Sequence, residues 1–295
     1  MTSFKLKSTG IAASVFLAVY AIYFGFATWV VWKKGFRTMF TALWVFAILR
    51  VAGQACGVAY ASLGLSHYQL LIAYMVLGAQ GFLALIYASL RAVMHEQRLK
   101  YGKSWFDTYP ILGRLGPVLK RFHIYFFQTC FSVTHCILAA GSIVFIVGGA
   151  EMAGIDVTNP STYSDYRTSR NLRIAGALLY LVGMIILVAL AIRAYTHEKV
   201  KTLSMKYILL AVPFFLIHIV YNFLAIFVSR MDLFRISNYG FGGGNSSLVV
   251  SESIMSTAMD VFICVFLTAA FLNTVHDAKH LQSQPYETTS EKTSV

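Results

Sequence analysis

Seven stretches of the chain are continuously apolar, separated by short polar segments: 10–32, 39–63, 68–93, 123–150, 172–193, 207–228 and 250–273. None alternates polar and apolar residues as a membrane barrel strand does, so each predicts a helix. A crossing takes about 20 apolar residues, and a 23-residue helix such as 10–32 reaches about 34 Å, enough for the hydrocarbon core with modest tilt. The expected fold is all-α: a polytopic membrane protein of seven transmembrane helices. Residues 1–275 form the transmembrane domain, and 276–295, polar and rich in Ser and Thr, form a disordered tail. No internal repeat of the kind that builds two-half transporters is visible.

Composition fits this class, with 58% hydrophobic residues and 12% charged, against about 25% charged in a soluble domain. The net charge of +12 could serve a nucleic acid or an anionic surface, and its placement decides between them. Counted with the basic residues at span edges, the loops after spans one, three and five and the C-terminal tail hold 16 Lys and Arg. The N-terminus and the remaining loops hold 7. The positive-inside rule then puts the N-terminus outside and the C-terminus in the cytoplasm, in a plasma membrane or an endomembrane, with no nucleic-acid partner. Lys5 and Lys7 argue locally for the reverse, but Lys33, Lys34 and Arg37 oppose them. The first stretch exceeds a signal-peptide core and lacks a small-x-small cleavage site, so an uncleaved helix is expected. Cys56, Cys130, Cys136 and Cys264 all fall inside spans and read as small core residues.

Two loops carry further chemistry. Residues 94–122 interleave bases with apolar side chains, among them Tyr101 and Trp105 beside Arg98, Lys100 and Lys103. Such a segment is expected on the cytoplasmic leaflet with its bases on anionic lipid headgroups, although ordinary topogenic charge produces the same pattern. Residues 229–249 are glycine-rich and contain the sequon Asn245-Ser246-Ser247, a glycosylation acceptor if that loop is lumenal.

Five spans each carry one expensive polar residue at nearly the same depth: Arg50, Gln80, His135, His218 and Asp260. A charge at the bilayer centre costs about 3 kcal/mol, so it faces the bundle interior or a wet cavity and takes a partner. Arg50 and Asp260 are opposite in sign and level with each other, which predicts a pair. Gln54 shares the Arg50 face of span two, and Asn222 shares the His218 face of span six. Together these seven residues predict a ligand cavity for a small apolar molecule. The competing reading is a set of separate interhelical clips, each worth about 0.6 kcal/mol. Gly53 and Gly57 open span two to a close neighbour, and Pro213, five residues before His218, is a candidate hinge.

Metal and cofactor readings gain little. His135 and His218 form a single candidate haem pair, and His276 and His280, four apart, lack a matching His on span two, so no metal or cofactor is expected. Span seven holds no Lys for a retinal Schiff base, and the acidic-Arg and Asn-Pro signatures of rhodopsin-like receptors are missing.

The run Trp32-Lys33-Lys34-Gly35-Phe36-Arg37, followed by Trp44-Val45-Phe46 and Leu49-Arg50-Val51-Ala52-Gly53, resembles an uncharacterised family of fungal seven-helix membrane proteins. Helix number and loop sizes extend the likeness over about residues 12–275. The resemblance implies the seven-helix architecture, a fungal source and a role for Arg50; some members occur near secondary-metabolite genes. The first expectation is thus a receptor-like protein. The alternative is a membrane enzyme on a lipidic or terpenoid substrate, with Asp260 as general acid or His218 as base, and a small-molecule carrier is third.

The charge asymmetry yields a direct test. A reporter after Val295 should be cytoplasmic and one before Met1 external; both ends on one side would remove the seven-span arrangement. On the same topology, Asn245→Gln should abolish an endoglycosidase-sensitive mass shift.

Overall fold

The computed structural model describes residues 4–36, 38, 40–108, 129–153, 163–235, 238 and 246–283. The helices are α1 (Lys7–Lys34), α2 (Phe40–Leu63), α3 (Tyr68–Tyr101), α4 (Cys130–Ala153), α5 (Tyr163–Thr196) and α6 (Leu203–Phe227). The seventh, α7, starts as Ser246–Glu252, widens into a π-helical turn at Ser253–Ala258 and continues as Met259–Ser283. All seven are long and apolar enough to cross a membrane, and the protein is a multi-pass integral membrane protein. Successive helices run in opposite directions, so the bundle has an N-terminal face and an opposite, basic face carrying Lys33, Lys34 and Lys201.

Several helices outrun their apolar stretches. The predicted span 68–93 lies inside α3, which runs on to Tyr101, and 172–193 lies inside α5, which begins at Tyr163. A 34-residue helix is about 51 Å long, well beyond the hydrocarbon core, so the extra turns are polar and project into the headgroup zone. Hydropathy registers only the part in contact with lipid tails. The last helix likewise passes the expected start of the tail at 276 and runs to Ser283. Asn245 and residues 284–295 lie outside the described residues.

Lipid inverts the usual polarity of a fold. Ile22, Trp32, Ile143, Ile185 and Leu210 point outward and exposed, whereas Arg50, Gln54, Ser142, Arg173, His218 and Asp260 are buried. With hydrocarbon on the outside, helices gain little from hiding apolar surface and associate instead through close backbone approach. α5 provides for this with Ser169, Gly176 and Gly183 at seven-residue intervals, which keep one seam toward α4. A Cβ on Gly176 would stand 2.7 Å from the Phe145 amide nitrogen and 2.8 Å from the Gly141 oxygen. Ser169 Oγ donates to the Gly148 carbonyl at 2.6 Å in the same seam. On the other side of the bundle, Gly57 admits the Tyr74 ring of α3 and Ala13 of α1, and Gly53 lies against Leu77. α3 is central, touching α2, α4, α5, α6 and α7.

Residues 94–101 continue α3, and Gly102, at φ 73°, caps the helix with its N–H on the Arg98 carbonyl at 2.8 Å. A left-handed cap of this kind suits glycine, which has no Cβ to clash. Tyr101 and Trp105 are held by Glu198 in the α5–α6 connection. Trp105 Nε1 and Gln97 Nε2 donate to its carboxylate at 2.7 and 2.8 Å, while Tyr101 donates to its carbonyl. Lys100 Nζ donates to the carbonyls of Glu198 and Lys199, and Arg193 lies 4.4 Å over the Trp105 ring. These groups lock the basic ends of α3, α5 and α6 together. Residues 109–128 of the same loop lie outside the described residues.

The α4–α5 seam predicts that Gly176→Ala lowers thermal stability in detergent by about 1–3 kcal/mol, because the added methyl meets backbone that cannot step aside. An unchanged unfolding midpoint would mean that the two backbones do not meet there.

Candidate functional site

Arg50 sits ten residues along α2, close to the middle of the bundle. Its side chain reaches over α3 where two glycines leave room: a Cβ on Gly81 would stand 3.1 Å from Nε, and one on Gly78 3.3 Å from Nη1. The guanidinium ends against the Asp260 carboxylate of α7 in an ion pair whose side chains are 4% and 0% exposed. The second carboxylate oxygen lies 2.8 Å from His218 Nδ1 on α6. Phe82 of α3 stacks on the His218 ring at 3.9 Å and 14°, and the Tyr20 and Phe46 rings face the guanidinium at 5.8 and 6.0 Å. Five helices thus converge on one Arg–Asp–His group, wrapped in aromatic rings that favour a cation.

The π-helical turn adds a second carboxyl group. Thr257 Oγ1 donates to Glu252 Oε1 at 2.8 Å, a partner five residues back, as π winding places it. Tyr74 of α3 donates to the same oxygen at 2.6 Å. Widening a helix disturbs its regular carbonyl pairing, and the Thr257 carbonyl accepts the Tyr20 hydroxyl at 2.9 Å. Glu252 is thereby fixed one level nearer the N-terminal face than Asp260.

A second buried pair stands at that face. Arg173 of α5 is 1% exposed; its Nη1 donates to Asp232 Oδ2 at 2.8 Å and its Nη2 to the Ala225 carbonyl at 3.3 Å. Asp232 belongs to the segment after α6, which folds back into the bundle. Phe234 stacks over the Arg173 guanidinium at 4.8 Å and occupies the space beside Gly149, where any Cβ would overlap it. Asn238 holds the segment by donating to the Ser229 and Asp232 carbonyls at 2.7 and 2.8 Å.

Between the two pairs lies a cavity of about 60 Å³. Arg50, His218, Asn222 and Glu252 supply its polar wall, and Phe82, Phe145, Tyr180 and Phe234 supply the apolar one. Gln54 is buried on the far side of Glu252 and lines a neighbouring space of about 20 Å³. Asp260, fully buried behind Arg50 and His218, is not on the cavity wall, and two further residues expected here lie elsewhere. Gln80 turns to α4 and donates to Ser142 Oγ at 2.9 Å, and His135 lines an outer groove with Tyr87 and Arg91. Gln80 has the expected depth but points away from the centre, because position along a helix does not fix rotation about it, whereas His135 lies nearer the basic face, its carbonyl accepting from the Tyr87 hydroxyl at 3.3 Å. Pro213 lies within the continuous helix α6. Among the described residues no group of three or more His, Cys, Asp or Glu is placed to hold a metal ion.

Arg173, Asp232 and Glu252 are not among the residues that the sequence pattern singles out. Arg173 stands at a span edge and Asp232 in a loop, where charges are ordinary, so neither carries a signal. Glu252 does carry one, as an acid inside the last apolar stretch.

Removal of either partner of the central pair leaves a buried charge, and Arg50→Ala or Asp260→Ala should each cost about 3–5 kcal/mol of stability in detergent. The double variant should recover part of that, with a coupling of about 1–3 kcal/mol in thermal unfolding; strictly additive losses would show no interaction.

No curated protein and no solved structure matches the chain. A match to a known family covers α4 to α6 and most of α7, and with them Arg173, His218, Glu252 and Asp260, while Arg50 and the residues around 32–53 precede it. Residues 107–275, more than half of the chain, match the family described as a domain of unknown function (DUF7702), and the chain belongs to that family.

Proposed function

We propose that this protein is receptor-like and that its central cavity takes a small, mostly apolar molecule bearing one polar group. The observation that carries this reading is the two-sided cavity, with aromatic rings on one wall and Arg50, His218, Asn222 and Glu252 on the other. As it stands the cavity holds a few water molecules at most, whereas drug-sized ligands occupy about 300 Å³ or more. Ligand entry therefore requires a movement, and the Asp232–Phe234 segment is the element suited to it. It blocks the N-terminal end of the cavity and is held by the Arg173 ion pair, a contact that can be broken as a unit. A ligand that binds only with this segment displaced shifts the balance between two states, which is how a receptor reports occupancy.

An enzyme reading has one observation in its favour. His218 borders the cavity with Nδ1 on a carboxylate, the arrangement that orients an imidazole for proton transfer. Asp260 itself is fully buried behind His218 and Arg50, so it serves here as the orienting group and not as the acid.

Terpenoid alcohols and sterols provide probes. A binder at about one hundred times its Kd should stabilise the purified protein by about 2.7 kcal/mol. Ala225→Leu, which fills the cavity, and Asn222→Ala, which removes a polar contact, should each reduce that shift. A shift unaffected by both would place binding elsewhere, and product formation that disappears in His218→Ala would favour the enzyme.

A further inference from the structure

A second, larger space opens on the outer wall of the bundle, unconnected with the central cavity in its lining. It is a groove of about 500 Å³ between α2, α3 and α4. Its floor is apolar, with Ala42 and Val45 on α2, Ala84 and Tyr87 on α3, and Phe131 on α4. Its end toward the basic face is polar, with Arg91, Thr41, Ser132 and His135. The helical spacing produces this division: Ala84, Tyr87 and Arg91 share one face of α3, in order from the bundle centre outward.

The depth of Arg91 matters most. Arg50 crosses α3 at Gly81, near the middle of the bundle, and Arg91 lies ten residues further on, about 15 Å toward the basic face. Half the thickness of a hydrocarbon core is also about 15 Å. Arg91 is thus at the boundary between acyl chains and headgroups, exposed, and engaged by no ion pair or hydrogen bond among the described residues. Two further arginines of the basic face are occupied: Arg98 pairs with Asp107 and Arg193 with Glu198. Among the described residues no carboxylate lines the groove to oppose a bound anion.

We propose that this groove binds one anionic phospholipid, its phosphate on Arg91 with Thr41 and Ser132 beside it, and an acyl chain along Val45, Ala84 and Phe131. Charge complementarity selects the occupant. A guanidinium with no partner among the described residues, at headgroup depth above an apolar trough, matches a molecule that is anionic at one end and hydrocarbon at the other, and planar guanidinium groups bind phosphate bidentately. The site is distinct from diffuse attraction of basic loops to a charged surface, because it predicts one lipid held in a fixed place.

Native mass spectrometry of the detergent-purified full chain, titrated with phosphatidylglycerol and with phosphatidylcholine, tests this. The wild type should retain one phosphatidylglycerol at least fivefold more than phosphatidylcholine. Arg91→Gln should remove that preference and Arg91→Lys should restore part of it. Val45→Trp, which fills the trough and keeps every charge, should also displace the lipid. Lys201→Gln, an equal loss of charge on the basic face outside the groove, should leave retention unchanged. Equal retention of the two lipids, or equal losses in Arg91→Gln and Lys201→Gln, would overturn the proposal in favour of general surface charge.

Discussion

A guanidinium in the middle of a membrane is the constraint around which this bundle is arranged. In hydrocarbon Arg50 cannot be left alone, and its needs fix its neighbours: a carboxylate on α7, an imidazole on α6 to complete that carboxylate, rings of α1 and α2 over the cation, and two glycines in α3 for the side chain to pass. Each requirement restrains the depth and rotation of another helix. Net stabilisation from such a group is modest, since desolvating the charges offsets much of their attraction, but an incorrect arrangement would strand a charge in lipid. The pair therefore selects one packing among several that apolar helices alone would permit.

Around that centre the remaining order comes from small residues and from the ends of the helices. The α4–α5 seam rests on backbone contact, the α2–α3 seam on Gly53 and Gly57, and the basic ends of α3, α5 and α6 on the carboxylate and carbonyl of Glu198. None of these depends on hiding apolar surface from water. The face opposite the basic one is secured differently, by an ion pair whose acidic member comes from an irregular segment. Irregular backbone is tolerated at such a level where protein surrounds it, and here Arg173, Gly149 and Asn238 do so.

The seven crossings are legible in the sequence because little besides a bilayer demands an apolar run of that length, and Arg50 and Asp260 because opposite charges at one depth in lipid are costly apart. Rotation is the missing coordinate. Gly78, Gly81 and Phe82 face the central group while Gln80, between them, is turned by about 100° for each residue of offset, and so serves α4. His135 lies nearer the basic face, beside Tyr87, on a helix whose inward side is taken by small residues against α5. The seam of Ser169, Gly176 and Gly183 is present as a seven-residue rhythm, but apolar stretches in membrane proteins are rich in glycine and the rhythm does not stand out. Arg173 and Asp232 are hidden for a different reason, since a charge at a span edge or in a loop is commonplace until the fold brings two of them inside.

The π-helical turn of α7 bears on how this sequence tolerates change in length. Glu252 and Asp260 are eight residues apart, which in uniform α-helix would leave them about 80° out of line around the axis. Winding through Ser253–Ala258 absorbs about one residue, so the two carboxyl groups come within about 20° of each other, two full turns apart. Loss of a single residue from that stretch would restore ordinary winding with the alignment intact, at the expense of the carbonyl offered to Tyr20. Gain of one would rotate either Glu252 or everything from Asp260 onward out of the centre. The segment is thus asymmetric toward insertions and deletions: lineages descending from such a chain could shed a residue here far more readily than acquire one.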